Sequence, residues 1–225
     1  MKQKCAAKAF EMIEDGMIVG LGGGSTVALL IREIEKQKKN ICAVTPSQDT
    51  MELCIQHHIP MVPLEMVDHI DIAFDGCDEL DRNLNALKSC GGIHTREKIV
   101  AAMATDYVLL ADEGKLKENL AFQYPVTVEI IRPARKYVQK RLEALGAVVT
   151  ERRAGGKTGT MVSDDGNYLM EAAFSHVDDV EKLFHELEAI TGLVDHSLFY
   201  GIASKAVIAK NDGIDIIESN HCKER

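Results

Sequence analysis

The side chains able to do chemistry gather in a few glycine-rich or acidic turns. Gly22-Gly23-Gly24-Ser25-Thr26 follows an apolar run at 17–21 and precedes a stretch with helical spacing. Strand, glycine turn and helix in that order aim backbone N–H groups at an anion. Gly23 and Gly24 would let a phosphate approach the backbone, and Ser25 and Thr26 add hydroxyl donors. The same residues would serve in a tight turn capped by Ser25. Asp75-Gly76-Cys77-Asp78-Glu79 ends a second apolar run, 70–74. Neighbouring carboxylates can separate their pKa values and act as acid and base; a solvated acidic turn is the plain alternative. Lys88-Ser89-Cys90-Gly91-Gly92 is a flexible turn entered by a cation, and Thr95-Arg96-Glu97-Lys98 opens a helix. Glu97 is there either a first-turn acid favoured by the helix dipole or, if buried beside the glycine-rich cleft, a proton-transfer base. Lys115 follows a strand that ends at Ala111-Asp112, again where ligands approach an open sheet.

The elements that must position these residues alternate in type. Helical spacing covers 2–14, a helix follows Thr26, and further helices are expected at 48–56 and 95–104. Apolar strands are expected at 17–21, 41–45, 60–63, 70–74 and 107–111. That alternation means an α/β fold with a Rossmann-like, doubly wound parallel sheet covered by helices on both faces. After residue 125 the pattern changes: strands at 126–130 and 147–151, a helix at 133–145, and a turn at 155–159. A hairpin is expected around Asp164-Asp165-Gly166-Asn167, pairing 160–163 with 168–172, then a helix at 177–190 and a strand at 193–196. Short apolar strands return at 206–209 and 214–217. The expected layout is a catalytic domain of 1–125 plus 199–225 with an inserted small α+β lid domain at 126–198.

Composition removes several function classes. With 26 Lys plus Arg against 35 Asp plus Glu the net charge is −9, which argues against nucleic acid as partner. No apolar run reaches the ~20 residues of a membrane span, and the charged start is no signal-peptide core. Six cysteines at 5, 42, 54, 77, 90 and 222 form no CxxC pair, so they read as free thiols of a cytoplasmic protein. NAD is disfavoured: Gly20-Leu21-Gly22-Gly23-Gly24-Ser25 lacks the third glycine of the fingerprint, and Thr45-Pro46-Ser47 stands where the ribose-binding acid should be. Gly156-Lys157-Thr158 imitates the tail of a P-loop, but Glu151 occupies the first glycine position. The eight histidines make no metal-binding pair, and only His94, beside the Glu97 segment, is of interest. No metal and no cofactor are expected.

Taken together, the segments resemble type A ribose-5-phosphate isomerase. The matching stretches are Val19 through Thr26, Asp75 through Glu79, Lys88 through Gly92, Thr95-Arg96-Glu97-Lys98-Ile99, Ala111-Asp112 with Lys115, and Val162 through Asn167, in order nearly to Ile217. The acidic turn and the TREKI segment together are highly specific. The resemblance implies interconversion of ribose 5-phosphate and ribulose 5-phosphate without metal or nucleotide, in a homodimer or homotetramer. By that resemblance Glu97 is the base, and Asp75, Asp78 and Lys88 complete the catalytic set. Gly23, Gly24, Ser25 and Thr26 would bind the phosphate. Asp75, Gly76, Cys77, Asp78, Lys88, Ser89, Cys90, Gly91 and Lys115 would line the sugar.

The chain departs from the family's pattern at definite places. Gly23 replaces the threonine of its GTGST turn, Ser89 and Cys90 replace two glycines of its KGGG turn, Thr127 begins its PVEV segment, and Ser197 replaces a glycine before Leu-Phe. A side chain at a glycine position with positive φ would cost on the order of 1 kcal/mol. The departures bear on which sugar phosphate is used more than on reaction class. Alternatives are an isomerase of another sugar phosphate and a non-catalytic sugar-phosphate sensor; a sensor would tolerate loss of Glu97 and Lys88, which are both present. Cys90 lies two residues from Lys88, so its thiol is expected to be activated by the ammonium, whereas Cys77 inside the acidic turn should react less.

Overall fold

Successive residues along the central strands face opposite sides of a sheet, and each side receives its own set of helices. The computed structural model describes residues 1–156 and 158–219. Its elements are α1 (Lys2–Phe10), β1 (Ile18–Leu21), α2 (Ser25–Gln37), β2 (Cys42–Val44), α3 (Gln48–Gln56), β3 (Ile70–Gly76), β4 (Glu79–Asp81), β5 (Ala86–Leu87), α4 (His94–Met103), β6 (Ala104–Asp112) and β7 (Leu116–Lys117). They continue as β8 (Val126–Ile130), α5 (Arg135–Ala144), β9 (Val148–Glu151), β10 (Tyr168–Ala173), α6 (Val180–Glu188), β11 (Leu193–His196), β12 (Leu198–Phe199), β13 (Lys205–Ala209) and β14 (Ile214–Glu218). Lys157, in the turn expected at 155–159, and Cys222 lie outside the described residues.

The main sheet has the order β14-β13-β6-β3-β1-β2, parallel throughout except for the antiparallel edge strand β14. Ile72 and Phe74 of β3, Val108 and Leu110 of β6, and Val207 of β13 pack with Ala6, Val27, Leu30 and Cys54 from α1, α2 and α3. Their neighbours Ala73, Tyr107, Leu109 and Ile208 pack on the other face with Val100 and Ala101 of α4. A four-stranded antiparallel sheet, β11-β8-β10-β9, lies within residues 126–196 and shares a third core with Val138 and Leu142 of α5 and Leu183 and Leu187 of α6. A small sheet, β12-β5-β4-β7, joins the segments that follow β3 and β6. No helix among the described residues is long and apolar enough to cross a membrane.

Several expected elements differ. α1 stops at Phe10, although Ile13 continues its apolar period and is buried in the same core. Residues 60–63 form only a bridge from Met61 to Ala43, because the flanking Pro60 and Pro63 offer no N–H to a ladder. The first arm of the hairpin is likewise reduced to a bridge between Val162 and Tyr168. α6 begins at Val180, where the Asp179 carboxylate accepts the Lys182 N–H at 2.9 Å, rather than at 177.

Candidate active site

The carboxyl ends of β1, β3, β6 and β13 open on one cavity of about 480 Å³, where an open α/β sheet presents its ligand site. One wall of it is made of helix starts. Gly24 caps α2 with φ +92, a left-handed conformation open to glycine, and a Cβ there would meet nothing within 4 Å. Ser25 and Thr26 therefore begin α2 inside the cavity, beside Gly23 and the start of α3 at Gln48. Lys2, in the first turn of α1, reaches across and donates to Ser25 Oγ at 2.7 Å. Helix N-termini plus a lysine make this wall electropositive.

The titratable cluster lines the same cavity. Gly22 leaves room for Asp75: a Cβ on it would stand 2.1 Å from the Asp75 carboxyl carbon. Lys88 Nζ lies 3.0 Å from Asp75 Oδ1 and 3.2 Å from Glu97 Oε1, and donates to the Gly76 carbonyl at 2.6 Å. All three side chains are buried. Asp75 Oδ1 also accepts the Gly76 N–H at 2.8 Å, and Oδ2 faces the Tyr107 hydroxyl at 3.4 Å. Burial, reinforced by the Asp75 carboxylate, raises Glu97 to about 8 against the pull of Lys88. Burial opposes the Lys88 charge, but Asp75 and Glu97 outweigh it and hold its pKa above the ordinary lysine value. Lys115 donates to the Cys77 carbonyl at 2.6 Å, so two lysines brace the acidic turn. Asp78 Oδ2 accepts the N–H groups of Ser89 at 2.6 Å and Cys90 at 2.9 Å.

Thus Gly23, Gly24, Ser25, Thr26, Asp75 and Gly76 all border the cavity, as do Cys77, Asp78, Lys88, Cys90, Gly91, Lys115 and Glu97. Ser89 does not. Its hydroxyl turns inward, donating to the Pro125 carbonyl at 2.5 Å and meeting Ser197 Oγ at 3.0 Å. Neither Ser89 nor Cys90 has positive φ; that role falls to Gly92, so neither substitution carries the expected strain. The Cys90 thiol is not activated. Partial burial and the nearby Asp78 carboxylate push it up to about 11, because Lys88 points at Asp75 and Glu97 instead. Cys77 is pushed up to about 12, chiefly by burial.

Glu79 leaves the acidic group altogether: its carboxylate accepts N–H groups of Ala121, Phe122 and Gln123 and pins that segment. His94 is buried off the cavity, and burial and then Lys98 lower it to about 3, so it stays neutral. Sequence reasoning missed Lys2, Asp164 and the α3 start at Ser47-Gln48-Asp49, all of which border the cavity. For Lys2 and the α3 start the only signal is topological, the sheet bringing the starts of α1, α2 and α3 to one edge, whereas Asp164 lies in the 162–167 stretch that the sequence already marks.

The fold and this cavity define an α/β protein whose helix starts and buried carboxylate–lysine cluster line one cavity. Residues 42–213 match the family described as Ribose 5-phosphate isomerase A (phosphoriboisomerase A). The chain is 39% identical over 218 residues to ribose-5-phosphate isomerase A of Haloquadratum walsbyi, covering 96% of this chain and 92% of that protein. It is 36% identical over 223 residues to that of Pyrococcus horikoshii, covering 97% of each. Among solved structures it resembles ribose 5-phosphate isomerase A of Methanocaldococcus jannaschii, with TM-score 0.90, 34% identity and coverage of 96% and 97%. A D-ribose-5-phosphate isomerase in complex with phospho-erythronic acid superposes with TM-score 0.91 at 35% identity, covering 96% of this chain and 97% of that one. The chain belongs to the ribose 5-phosphate isomerase A family.

Proposed function

We propose that this protein interconverts ribose 5-phosphate and ribulose 5-phosphate through an enediolate. The observation that carries the reading is Glu97, buried, raised to about 8 and held 3.2 Å from Lys88, in one cavity with three helix N-termini. The phosphate sits on Gly23, Gly24, Ser25 and Thr26 with Lys2 beside them. The Glu97 carboxylate takes the C2 proton of the aldose, the C1 carbonyl becomes an oxyanion, and the same carboxyl returns the proton to C1. A base with a pKa near the working pH suits both halves of that exchange. The Lys88 ammonium faces the developing oxyanion.

A hydroxyl proton must also pass from O2 to O1. Asp75 has both oxygens engaged by protein groups and acts as counter-ion to Lys88. Asp78, whose two backbone donors meet only Oδ2, is the relay. Gly76, Cys77, Cys90, Gly91 and Lys115 line the sugar, and residues 126–198 form the small domain that brings Asp164 to the cavity. The phospho-erythronic acid of the solved relative's complex has a carboxylate where an enediolate carries its paired oxygens, which supports this reading.

No metal takes part in this proposal, since the Lys88 ammonium stands between the two carboxylates a cation would need. The protein is further proposed to be a cytoplasmic homodimer or homotetramer with no nucleic-acid or membrane partner. The deciding experiment is an isomerase assay over a panel of aldose phosphates, with and without EDTA. Ribose 5-phosphate should be the best substrate and EDTA should change nothing. Preference for another aldose phosphate would reassign the substrate; binding without turnover would make the protein a sensor. Activity abolished by EDTA and restored by one metal would overturn the metal-free step.

A further inference from the structure

The turn that carries Lys88 is gripped from behind by a residue of the small domain. Arg152 follows β9, with its carbonyl accepting the Met161 N–H at 2.7 Å and its own N–H donating to the Leu169 carbonyl at 3.1 Å. Its backbone is thereby fixed from two sides. The side chain reaches the Lys88–Gly92 turn without entering the cavity. Nη1 donates to the Ser89 carbonyl at 2.6 Å and Nη2 donates to the Cys90 carbonyl. The Ser89 carbonyl also accepts the Thr127 hydroxyl at 3.0 Å. A planar fork with fixed N–H directions holds two successive carbonyls in one defined geometry, whereas a lysine ammonium is a point charge whose donors rotate.

The two ends of this contact are joined by one peptide group. The Ser89 carbonyl that Arg152 holds and the Cys90 N–H that donates to Asp78 belong to the same peptide unit. A cation on the carbonyl polarises that unit and strengthens its N–H as a donor, and a chain of such bonds is cooperative. The Ser89 N–H, one peptide earlier, meets the same Asp78 oxygen. Without the guanidinium the turn would keep a single side-chain donor, Thr127, on Ser89 and none on Cys90 among the described contacts.

We infer that Arg152 is a positioning residue for the isomerisation: acting through the Ser89–Cys90 peptide, it fixes the Asp78 carboxylate at the substrate. The inference rests on the isomerase reading above. It separates two properties, because Arg152 touches none of Lys2, Ser25 or Thr26.

The test compares Arg152→Met, Arg152→Lys and Arg152→Ala with wild type, using ribose 5-phosphate turnover and competitive inhibition by inorganic phosphate. Arg152→Met should lower kcat by about 10- to 100-fold, the scale of a misplaced catalytic group, while phosphate inhibition stays within about twofold. Arg152→Lys should fall between, since it restores charge but not the fork. Added guanidinium chloride at low millimolar concentration should partly restore Arg152→Ala, and sodium chloride should not. A kcat within about twofold of wild type in Arg152→Met would overturn the inference. So would parallel losses of turnover and phosphate inhibition with no guanidinium recovery, the pattern of general damage. Should Arg152→Met fail to fold, Arg152→Lys decides on the same two readouts. A wild-type protein inactive on every aldose phosphate would instead overturn the isomerase reading, and this inference with it.

Discussion

Replacing Glu97 by Gln probes the chemical step most directly. The amide keeps the shape of the side chain and an oxygen for Lys88, now at 3.2 Å, but it cannot take a proton from carbon. Removal of a positioned general base costs about 10²- to 10⁴-fold, equal to about 2.7 to 5.4 kcal/mol of barrier at 1.36 kcal/mol per tenfold. The expected result is therefore a kcat lowered by at least ~10²-fold with KM little changed. The raised pKa adds a second signature. Only the ionised carboxylate is a base, so with Glu97 at about 8 the active fraction of free enzyme falls as pH drops. Roughly a tenth is ionised at pH 7 and nine tenths at pH 9, so kcat/KM should rise about tenfold over that interval. The residual activity of Glu97→Gln should lack that rise. A coupled assay for the ketose product, run at constant ionic strength across this range, reads both quantities. A variant with near wild-type kcat, or one that retains the wild-type pH slope, would refute the assignment.

The phosphate wall and the thiols give further expectations. Replacing Ser25 and Thr26 together by Ala removes two hydroxyl donors from the start of α2 and one partner of Lys2. KM for ribose 5-phosphate should rise about tenfold or more and inhibition by free phosphate should weaken in parallel; unchanged values would move the phosphate elsewhere. Alkylation mapped by mass spectrometry at neutral pH should label Cys90, which is exposed, only slowly and Cys77 hardly at all, because their pKa values stand at about 11 and about 12. Ribose 5-phosphate should protect Cys90, which borders the cavity. Rapid labelling, or labelling indifferent to the sugar, would contradict this placement.

Much of what was legible in the chain lies at the ends of parallel strands. The glycine turn and the acidic turn follow the apolar strands β1 and β3, and the parallel sheet brings such ends to one edge whatever the loops between them, whereas the Lys88 turn follows the two-residue β5 of the small sheet and was legible only from its own composition. Glu97 was legible on another ground, as an acid in the first turn of α4 next to a glycine-rich turn. Less legible were contacts set by the third dimension. Lys2 meets Ser25 across 23 residues of sequence, and nothing local marks it. β4, β5 and β7 have two or three residues each, too few to show a period. Glu79 looks like its neighbours Asp75 and Asp78 but points into a backbone cradle. Cys90 is two residues from Lys88 in sequence, whereas the fold sends that ammonium to Asp75 and leaves Asp78 beside the thiol.

The family departures look independent in sequence and are one construction in space. Ser89, Thr127 and Ser197 are all buried, and they bond to one another. Ser89 Oγ meets Ser197 Oγ at 3.0 Å, the Thr127 N–H donates to Ser197 Oγ at 2.8 Å, and the Thr127 hydroxyl donates to the Ser89 carbonyl at 3.0 Å. Ser197 depends on the other two. A proline at 127, as the family's PVEV segment has, would offer no N–H to a Ser197 hydroxyl. A glycine at 197 would remove one of the two oxygens that the Ser89 hydroxyl meets. The Ser89 hydroxyl has the Pro125 carbonyl and the Thr127 hydroxyl has the Ser89 carbonyl, but the buried Ser197 hydroxyl has its contacts only to Ser89 Oγ and the Thr127 N–H, and an unpaired buried hydroxyl costs about 1–3 kcal/mol. The cluster lies behind the Lys88 turn, on the side Arg152 grips, and none of its three members borders the cavity. Of the departures, only Gly23 and Cys90 face the substrate space. Gly23 withdraws a hydroxyl from the phosphate wall, and Cys90 stands beside the Asp78 carboxylate. Neither takes part in the ion pairs that join Lys88 to Asp75 and Glu97. Three of the departures thus lie together in the support behind the Lys88 turn and away from the cavity, which leaves Gly23 and Cys90 as the two positions that bear directly on the choice of sugar phosphate.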